Sequence, residues 1–188
     1  LSVSTPIAAG SKAELVSSTT GSPLGWNLKE VCEMKQEAFR LHTLPGTIEA
    51  EDFDKGCQED AYFDLDEVNQ GGAYRSNEPV DIEARPAGGF NVGWTKKGEW
   101  MAYTVQVKKS AMYKVSIDVA TNTDNVGLHL ECDGKDLSGS IAVPNTAGFQ
   151  NWDAVSKSFR LGAGKHTLKL VLDSDNLNID KLVFEEIK

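Results

Sequence analysis

Basic residues are scarce in this sequence. Its 188 residues include 19 lysines and arginines against 28 acidic residues, which gives a formal net charge of −9 at pH 7. Nucleic acids and anionic membranes are bound by basic surfaces, so this charge balance argues against both partners. The sequence also lacks any apolar run that approaches the roughly 18 residues of a membrane-spanning helix.

Cysteine is equally scarce. Cys32, Cys57 and Cys132 are too few and too widely spaced to indicate a zinc site or a disulfide scaffold. One bridge with one free thiol and three free thiols both remain compatible with the sequence, so cysteine usage is weak evidence about the compartment. The chain begins at Leu1 without a basic and apolar leader pattern, and we therefore expect a mature or excised fragment.

Catalytic motifs are missing as well. There is no G-x-S-x-G nucleophile motif, and the three histidines do not have HExxH spacing. His166 is most simply interpreted as a polar residue at a strand edge. Glycosidases need two carboxyl groups about 5–10 Å apart. Among 28 acidic residues such pairs arise by chance, so acidity alone does not indicate an enzyme.

The N-terminal quarter differs in composition from the rest. Residues 1–26 are rich in Ser, Thr, Gly and Ala, which is typical of a linker. A helix is predicted over residues 28–41, with Asn27 as its N-cap and Pro45-Gly46 beyond its end. We therefore divide the chain into an extension, 1–46, and a domain, 47–188.

The domain from residue 47 onward has the period-two alternation of β-strands. Apolar residues alternate in five runs, and Gly- and Asn-containing turns separate them. The runs are Tyr103–Val107, Tyr113–Val119, Leu128–Cys132, Leu168–Leu172 and Leu182–Phe184. This pattern predicts an all-β antiparallel sandwich or barrel. Residues 54–91 alternate little, but they contain aromatic residues, so we expect an ordered, functional loop region there.

One acidic pair has a specific spacing. Glu49 and Glu51 are two residues apart and would lie on the same face of a strand. They form either a solvated strand face or a Ca²⁺ site, because Ca²⁺ binds six to eight oxygen ligands. Asp180 would join such a site if the first and last strands were neighbours.

Aromatic residues at strand ends suggest a sugar site. Trp94 and Phe149 are each flanked by loop residues, and Asn176 lies in the turn from Asp173 to Asn178. A flat exposed ring can cover the apolar face of a sugar while amide and carboxyl groups bond its hydroxyls. Core packing is the alternative for any single aromatic, and it suits Trp100 and Tyr103 well.

Six segments, taken in order, resemble family 6 carbohydrate-binding modules, especially the subgroup attached to agarases and β-1,3-glucanases. These segments are 48–53 (IEAEDF), 88–94 (GGFNVGW), 98–105 (GEWMAYTV), 143–152 (VPNTAGFQNW), 161–168 (LGAGKHTL) and 176–182 (NLNIDKL). The resemblance covers residues 47–188. It implies a galactose-binding-like jelly roll without catalytic activity, which binds a glycan in a cleft between loops at one end of the sandwich, and in some family members also on a concave sheet face.

The resemblance also implies roles for individual residues. Trp94 and Phe149 would hold the two faces of a sugar, and Asn176 and Glu59 would bond its hydroxyls. Phe149 stands where the family often has Trp, which implies weaker stacking on that face. A structural Ca²⁺ would bind four positions. These are Glu49, Glu51, Asp180 and a backbone carbonyl near Arg75.

The remaining expectations concern partners and alternatives. The expected ligand is an agarose-like galactan, β-1,3-glucan or xylan, and the expected context is a secreted or cell-surface protein of bacterial type with an attached catalytic domain. A glycosidase would pair Glu59 with Asp64 or Asp175. A protein-interaction domain would instead use the acidic region 54–86, and its binding would weaken with salt.

Overall fold

The chain forms a β-sandwich in a computed structural model that describes residues 11–17 and 26–187. The strands, in chain order, are β1 (Ser11–Ser17), β2 (Trp26–Cys32), β3 (His42–Leu44), β4 (Gly46–Glu49), β5 (Tyr62–Phe63), β6 (Ile82–Ala84), β7 (Phe90–Val92), β8 (Trp100–Val107), β9 (Ala111–Thr121), β10 (Val126–Cys132), β11 (Lys135–Asp136), β12 (Ile141–Val143), β13 (Gly148–Leu161), β14 (Gly164–Leu172) and β15 (Asn178–Ile187). One 3₁₀ turn follows β4 at Ala50–Asp52. Among the described residues, no helix is long and apolar enough to cross a membrane.

Two sheets make up the sandwich, and β1 and β2 form a separate hairpin. The first sheet has the order β11-β10-β14-β8-β3, with β12 beside β10 and β5 beside β8. The second has the order β13-β9-β15-β7-β6, with β4 beside β15. All pairings are antiparallel except that of β3 with β8. This architecture confirms the all-β sandwich that the sequence predicts.

The core lies between the sheets and includes the alternating apolar residues of the predicted strands. Tyr103, Val105 and Val107 of β8 are buried, as are Leu168 and Leu170 of β14. Because successive strand residues point to opposite faces, alternating apolar residues put one buried face on each sheet. The turns between the strands use left-handed backbone where the sequence has Asn or Gly, as at Asn125 (φ 58°) and Gly98 (φ 92°).

The helix predicted over residues 28–41 is wrong. Residues up to Cys32 are in β2, which pairs with β1, and the following segment is irregular. Glu37 exchanges backbone hydrogen bonds with Lys55 at 2.9 and 2.8 Å, so its amide and carbonyl have partners outside any helix. The apolar residues also lack a common buried face, since Met34 and Leu41 are 40% and 65% exposed. Pairing with distant segments therefore outweighs the weak local preference of these residues for a helix.

The cysteines adopt one of the two states left open by the sequence. Cys32 and Cys57 form a disulfide, and Cys132 is free. The segment after Cys32 lies along the sandwich, where Gln36 donates to Asp54 at 2.9 Å and Arg40 pairs with Asp52 at 3.2 Å. Cys32, Gln36 and Arg40 of the predicted extension thus contact the domain.

Candidate carbohydrate-binding site

A cavity of about 300 Å³ contains three of the four predicted sugar-contacting residues. Trp94, Phe149 and Asn176 line it together. Trp94 follows β7, Phe149 lies at the start of β13, and Asn176 precedes β15. Three strands of the second sheet therefore bring these residues to one end of the sandwich.

The two rings of this cavity are unusually accessible. Trp94 is 47% exposed and Phe149 is 37% exposed, whereas the other predicted aromatic pair, Trp100 and Tyr103, is half-buried and buried. Exposed aromatic rings in a concave site lose water-accessible apolar area when a ligand covers them, and this loss favours binding. The cavity is thus suited to a ligand with flat apolar faces.

Backbone hydrogen bonds fix the loops that carry Trp94 and Asn176. Both residues have left-handed backbone, with φ of 48° and 64°. The amide of Asn176 donates to the carbonyl of Thr95 at 2.8 Å. The hydroxyl of Thr95 donates to the carbonyl of Leu177 at 2.7 Å and accepts from the Leu177 amide at 2.9 Å. The two loops are therefore held together before any ligand binds.

Glu83 is the acidic residue of this cavity, and the sequence analysis missed it. Its Oε1 accepts hydrogen bonds from the side-chain amides of Asn91 at 3.2 Å, Gln150 at 2.8 Å and Asn178 at 3.0 Å. Its Oε2 accepts none from the described residues. Asn178 also donates to the carbonyl of Phe149 at 2.9 Å. The network fixes one carboxylate oxygen and leaves the other available to a ligand hydroxyl.

Glu59, the fourth predicted contact, does not line this cavity. It is exposed in the turn before β5, where its amide donates to the carbonyl of Tyr62 at 2.7 Å. Glu83 lies there instead because β6 pairs with β7, which places Glu83 opposite Asn91, three residues before Trp94. The position of Glu83 in the cavity follows from strand pairing. An acidic residue in the short segment Ile82–Ala84 belongs to no motif by which the sequence alone would reveal it.

A second cavity continues on the side of Trp94 toward the loop at residues 65–70. Its volume is about 520 Å³, and Trp94 and Asn176 line both cavities. Gln70, Lys97 and Asp175 are among the polar residues that it adds. The two cavities therefore form one groove, which is continuous at Trp94.

Among the described residues, Glu83 is the only acidic residue that lines the first cavity, so this part of the chain places no pair of carboxyl groups there. Asp64 lies elsewhere and is buried, and its Oδ1 accepts the amide of Asp66 at 2.7 Å. Burial, reinforced by Glu99, raises the pKa of Asp64 to about 7. Asp175 lines the second cavity and accepts the amide of Lys97 at 2.7 Å. The acids proposed for a glycosidase therefore do not share a cavity with Phe149.

The predicted calcium ligands lie where the first and last strands of the domain meet. Glu49 of β4 is opposite Lys181 of β15, so Asp180 adjoins the Glu49–Glu51 segment. Glu51 and Asp180 are 6% and 2% exposed, and Oε2 of Glu51 and Oδ2 of Asp180 are buried without hydrogen bonds. Burial raises the pKa of Glu51 to about 7, with Glu49 and Asp180 adding repulsion.

Two cations pair with Asp180. Arg85 forms an ion pair with its Oδ1, and the ammonium of Lys181 is 3.3 Å from its Oδ2. The side chain of Arg75 donates to the backbone carbonyls of Phe53 and Asp54, and its own carbonyl accepts the amide of Glu78 at 3.0 Å. Oε2 of Glu51 is a buried carboxylate oxygen without a donor among the described residues, the kind of ligand that Ca²⁺ prefers, so Glu51 fits calcium. Asp180, in contrast, would have to exchange its ion pairs with Arg85 and Lys181 for the ion.

The fold and the cavity define a sugar-binding β-sandwich module. Residues 70–186 match the model of the carbohydrate-binding module family 6, and the chain belongs to that family. The resemblance noted in the sequence is thereby confirmed. Members of this family are non-catalytic, and this chain is a non-catalytic carbohydrate-binding module.

Comparisons with individual proteins agree with this assignment. The sequence is 26% identical to the clotting factor G alpha subunit of Tachypleus tridentatus over 74% of this chain and 20% of that protein. It is 30% identical to the arabinoxylan arabinofuranohydrolase of Paenibacillus polymyxa over 58% of this chain and 18% of that protein. The chain thus spans about a fifth of the curated relatives that it matches.

Solved structures share the fold. The C-terminal family 6 module of LamC, a marine laminarinase from Zobellia galactanivorans, superposes with a TM-score of 0.59 at 27% identity, covering 75% of this chain and 98% of that chain. A family 6 module of Clostridium stercorarium in complex with cellobiose gives a TM-score of 0.62 at 22% identity, covering 79% and 98%. The shared region is thus a complete module in each of these structures.

Proposed function

We propose that this module binds β-1,3-glucan in the cavity between Trp94 and Phe149. The observation that carries the proposal is the pair of exposed rings that line one cavity with Glu83 and Asn176. The choice of glycan is supported by the likeness to the module of a laminarinase, since laminarin is a β-1,3-glucan. Agarose-like galactan and xylan are the other candidates, and the experiment below separates them.

The binding mechanism involves no chemical step. The indole of Trp94 contacts the C–H face of one sugar, and Phe149 covers the opposite face. The free carboxylate oxygen of Glu83 accepts a hydrogen bond from a sugar hydroxyl. The side-chain amide of Asn176, which has no hydrogen bond to the described residues, donates to or accepts from another. Because Glu83 and the two loops are already fixed, little side-chain entropy is lost on binding.

The groove supports binding of a chain segment longer than one sugar. The second cavity shares Trp94 and Asn176 with the first, so a chain that leaves the ring pair enters a region with polar side chains. Binding of short segments is of modest strength. Attachment to a glycoside hydrolase would raise the local concentration of the enzyme at the polysaccharide.

We further propose a structural Ca²⁺ ion held by Glu49, Glu51 and Asp180, with a backbone carbonyl near Arg75 as a further ligand. The buried Oε2 of Glu51, which has no hydrogen-bond donor in the described part of the chain, supports this site. The ion would neutralise carboxylates that repel one another and would link β4 to β15. It would not contact the glycan, because none of these residues lines the sugar cavity.

A secreted or cell-surface location is part of the same proposal. The Cys32–Cys57 disulfide supports it, because disulfides persist in oxidising compartments and are rare in the cytosol. The polysaccharides in question are also extracellular polymers. Counting the free thiols of the protein after denaturation without a reducing agent tests this point, since a single reactive thiol is expected.

Affinity electrophoresis tests the function directly. The protein is run through gels that contain laminarin, agarose, xylan or a soluble cellulose, beside Trp94→Ala and Trp100→Ala. Trp100 is a matched control, because it lies on β8 of the other sheet, where the ammonium of Lys169 is 3.6 Å from its ring centroid. Retardation by laminarin that is lost in Trp94→Ala and kept in Trp100→Ala is the expected result.

Other outcomes assign the ligand or the site differently. Retardation by agarose or xylan alone would replace β-1,3-glucan while keeping the cavity. Loss in Trp100→Ala with normal binding by Trp94→Ala would move the site to the face of the first sheet. Melting curves of both variants separate loss of binding from loss of folding.

A further inference from the structure

Cys132, Asp133 and His166 form a cluster at the hairpin of β10 and β11, apart from the sugar cavity. One ligand atom from each residue lies within 4.8 Å of the other two. Cys132 ends β10, Asp133 begins the turn into β11, and His166 lies on β14. The antiparallel register of β10 and β14, with Cys132 opposite Leu168, brings the histidine beside the turn.

The two ring nitrogens of His166 face different oxygen atoms. Its Nε2 is 3.1 Å from the carbonyl oxygen of Gly162, a backbone hydrogen-bond acceptor. Its Nδ1 is 2.7 Å from Oδ2 of Asp133. Nδ1 is therefore the ring nitrogen that faces the other members of the cluster.

The same arrangement is found around histidines that bind metals. Such a histidine donates its other ring N–H to a backbone carbonyl or a carboxylate, and this bond fixes the tautomer and the ring orientation. Gly162 provides that carbonyl for His166. The hydrogen bond from His166, followed by one from the Thr167 amide, lowers the pKa of Asp133, so its carboxylate is ionised.

The thiol of Cys132 is the third donor and decides the type of metal. Nitrogen, sulfur and one carboxylate oxygen suit Zn²⁺ and similar transition metals, whereas Ca²⁺ prefers oxygen ligands alone. Burial raises the pKa of this thiol to about 11, so a metal would displace its proton. Zinc ligand atoms lie about 3–4 Å apart, so Nδ1 of His166 and Oδ2 of Asp133, which are 2.7 Å apart, would separate slightly to admit the ion, and the exposed turn at Asp133 permits this.

We propose that Cys132, Asp133 and His166 bind a Zn²⁺ ion through Sγ, a carboxylate oxygen and Nδ1, with solvent as the fourth ligand. The ion would lie between the carboxylate of Asp133 and the imidazole of His166. It links the β10–β11 hairpin to β14 and stiffens the end of the sandwich opposite the loops of the sugar site. This inference does not depend on the proposed glycan.

The site can be tested by zinc titration of the disulfide-containing monomer in buffer with excess Ca²⁺, which occupies oxygen-only sites. We expect uptake of one Zn²⁺ per chain by calorimetry, and a thiolate charge-transfer band when Co²⁺ replaces Zn²⁺. Cys132 is the free cysteine, so zinc should also slow its alkylation. Cys132→Ser should bind zinc at least about tenfold more weakly and lose the band, since loss of even an outer partner costs about 10–100-fold.

His129→Gln is the matched control. Like His166 with Asp133, His129 has a ring nitrogen 2.7 Å from a carboxylate oxygen, that of Asp173. His129 lies on the same sheet, but no cysteine among the described residues forms a ligand cluster with it. This variant should bind zinc like the unchanged protein. Equal zinc affinity of Cys132→Ser and the unchanged protein, or no uptake by the unchanged protein, would overturn the proposal. Melting curves of the metal-free variants identify any that fail to fold.

Discussion

The carboxylate of Glu83 is held by amide groups of Asn91, Gln150 and Asn178 before any sugar binds. Three donors on one oxygen keep the side chain in place, and the second oxygen stays free. A hydrogen bond to a charged acceptor is worth about 1.5–3 kcal/mol, more than a bond between neutral groups. At the scale of single residues, this group is therefore the strongest candidate for choosing among sugar hydroxyls.

Replacing Glu83 tests that role. Glu83→Gln retains the shape of the side chain but removes the charge, so we expect glucan affinity to fall by about 1–2 kcal/mol. Glu59→Gln is the control, because Glu59 carries the same chemistry outside the cavity. Calorimetry with a laminari-oligosaccharide measures both. Equal losses in the two variants, or none in Glu83→Gln, would contradict the assignment.

Phe149 offers a second test at the residue scale. Its ring is smaller than an indole, so Phe149→Trp should cover more of the apolar face of the sugar. At about 25 cal/mol per Å² of apolar surface, the extra contact should strengthen binding by about 0.5–1 kcal/mol. Titration of the same oligosaccharide measures the change, and Phe149→Ala should weaken binding. A weaker Phe149→Trp variant would mean that the ring does not lie against the sugar.

At the scale of elements, β4 and β15 bring together carboxylates that repel one another. Burial raises the pKa of Glu51 to about 7 and also raises that of Glu49. A raised pKa means that the folded state binds protons more tightly than the unfolded state. In the absence of calcium, stability is therefore highest below the unfolded pKa and is lost as the pH rises from about 4.5 to about 7.

Calcium should reverse this loss, because it binds the ionised carboxylates. We expect the melting temperature in chelator to fall between pH 5 and pH 7, by the equivalent of about 2 kcal/mol once partial solvent screening is included. Added calcium should restore it. Glu51→Gln should reduce both the fall and the calcium response, whereas Asp64→Asn should retain the calcium response. A calcium response that persists in Glu51→Gln would place the ion elsewhere.

The elements also explain what a sequence can predict here. The alternation in Tyr113–Val119 and Leu168–Leu172 specifies buried strand faces, and these strands are present with that burial. The helix predicted over residues 28–41 is wrong because hydrogen bonds to β1 and Lys55, and a disulfide to Cys57, determine the conformation of this segment. These partners are remote in the chain, so local spacing does not reveal them.

Partners that are remote in the chain also explain why some site residues were predicted from the sequence and others were missed. Trp94, Phe149 and Asn176 lie in loop motifs that can be recognised from their neighbouring residues in the sequence. Glu83 enters the cavity only through the pairing of β6 with β7, and His166 reaches Asp133, 33 residues away, only through the register of β10 and β14. Sheet register is a property of the folded chain rather than of any one segment.

At the scale of the whole molecule, the net charge of −9 makes the salt dependence of binding a way to distinguish a sugar-binding module from an acidic protein-interaction domain. A neutral polysaccharide is held by ring contacts and short hydrogen bonds, which mobile ions barely screen. A protein partner of the acidic region 54–86 would be attracted over distances that salt does screen, since the Debye length is about 10 Å at 0.1 M ionic strength.

We therefore expect the affinity for laminarin to change by less than about twofold between about 0.05 and 0.5 M sodium chloride. Affinity electrophoresis at several salt concentrations measures this with the complete chain, and Lys97→Ala is a useful companion. Lys97 is an exposed cation beside Trp94 in the second cavity, so its loss should also leave the affinity for a neutral glucan nearly unchanged. A steep loss with salt, or a strong effect of Lys97→Ala, would instead indicate that the groove recognises charged groups on its ligand.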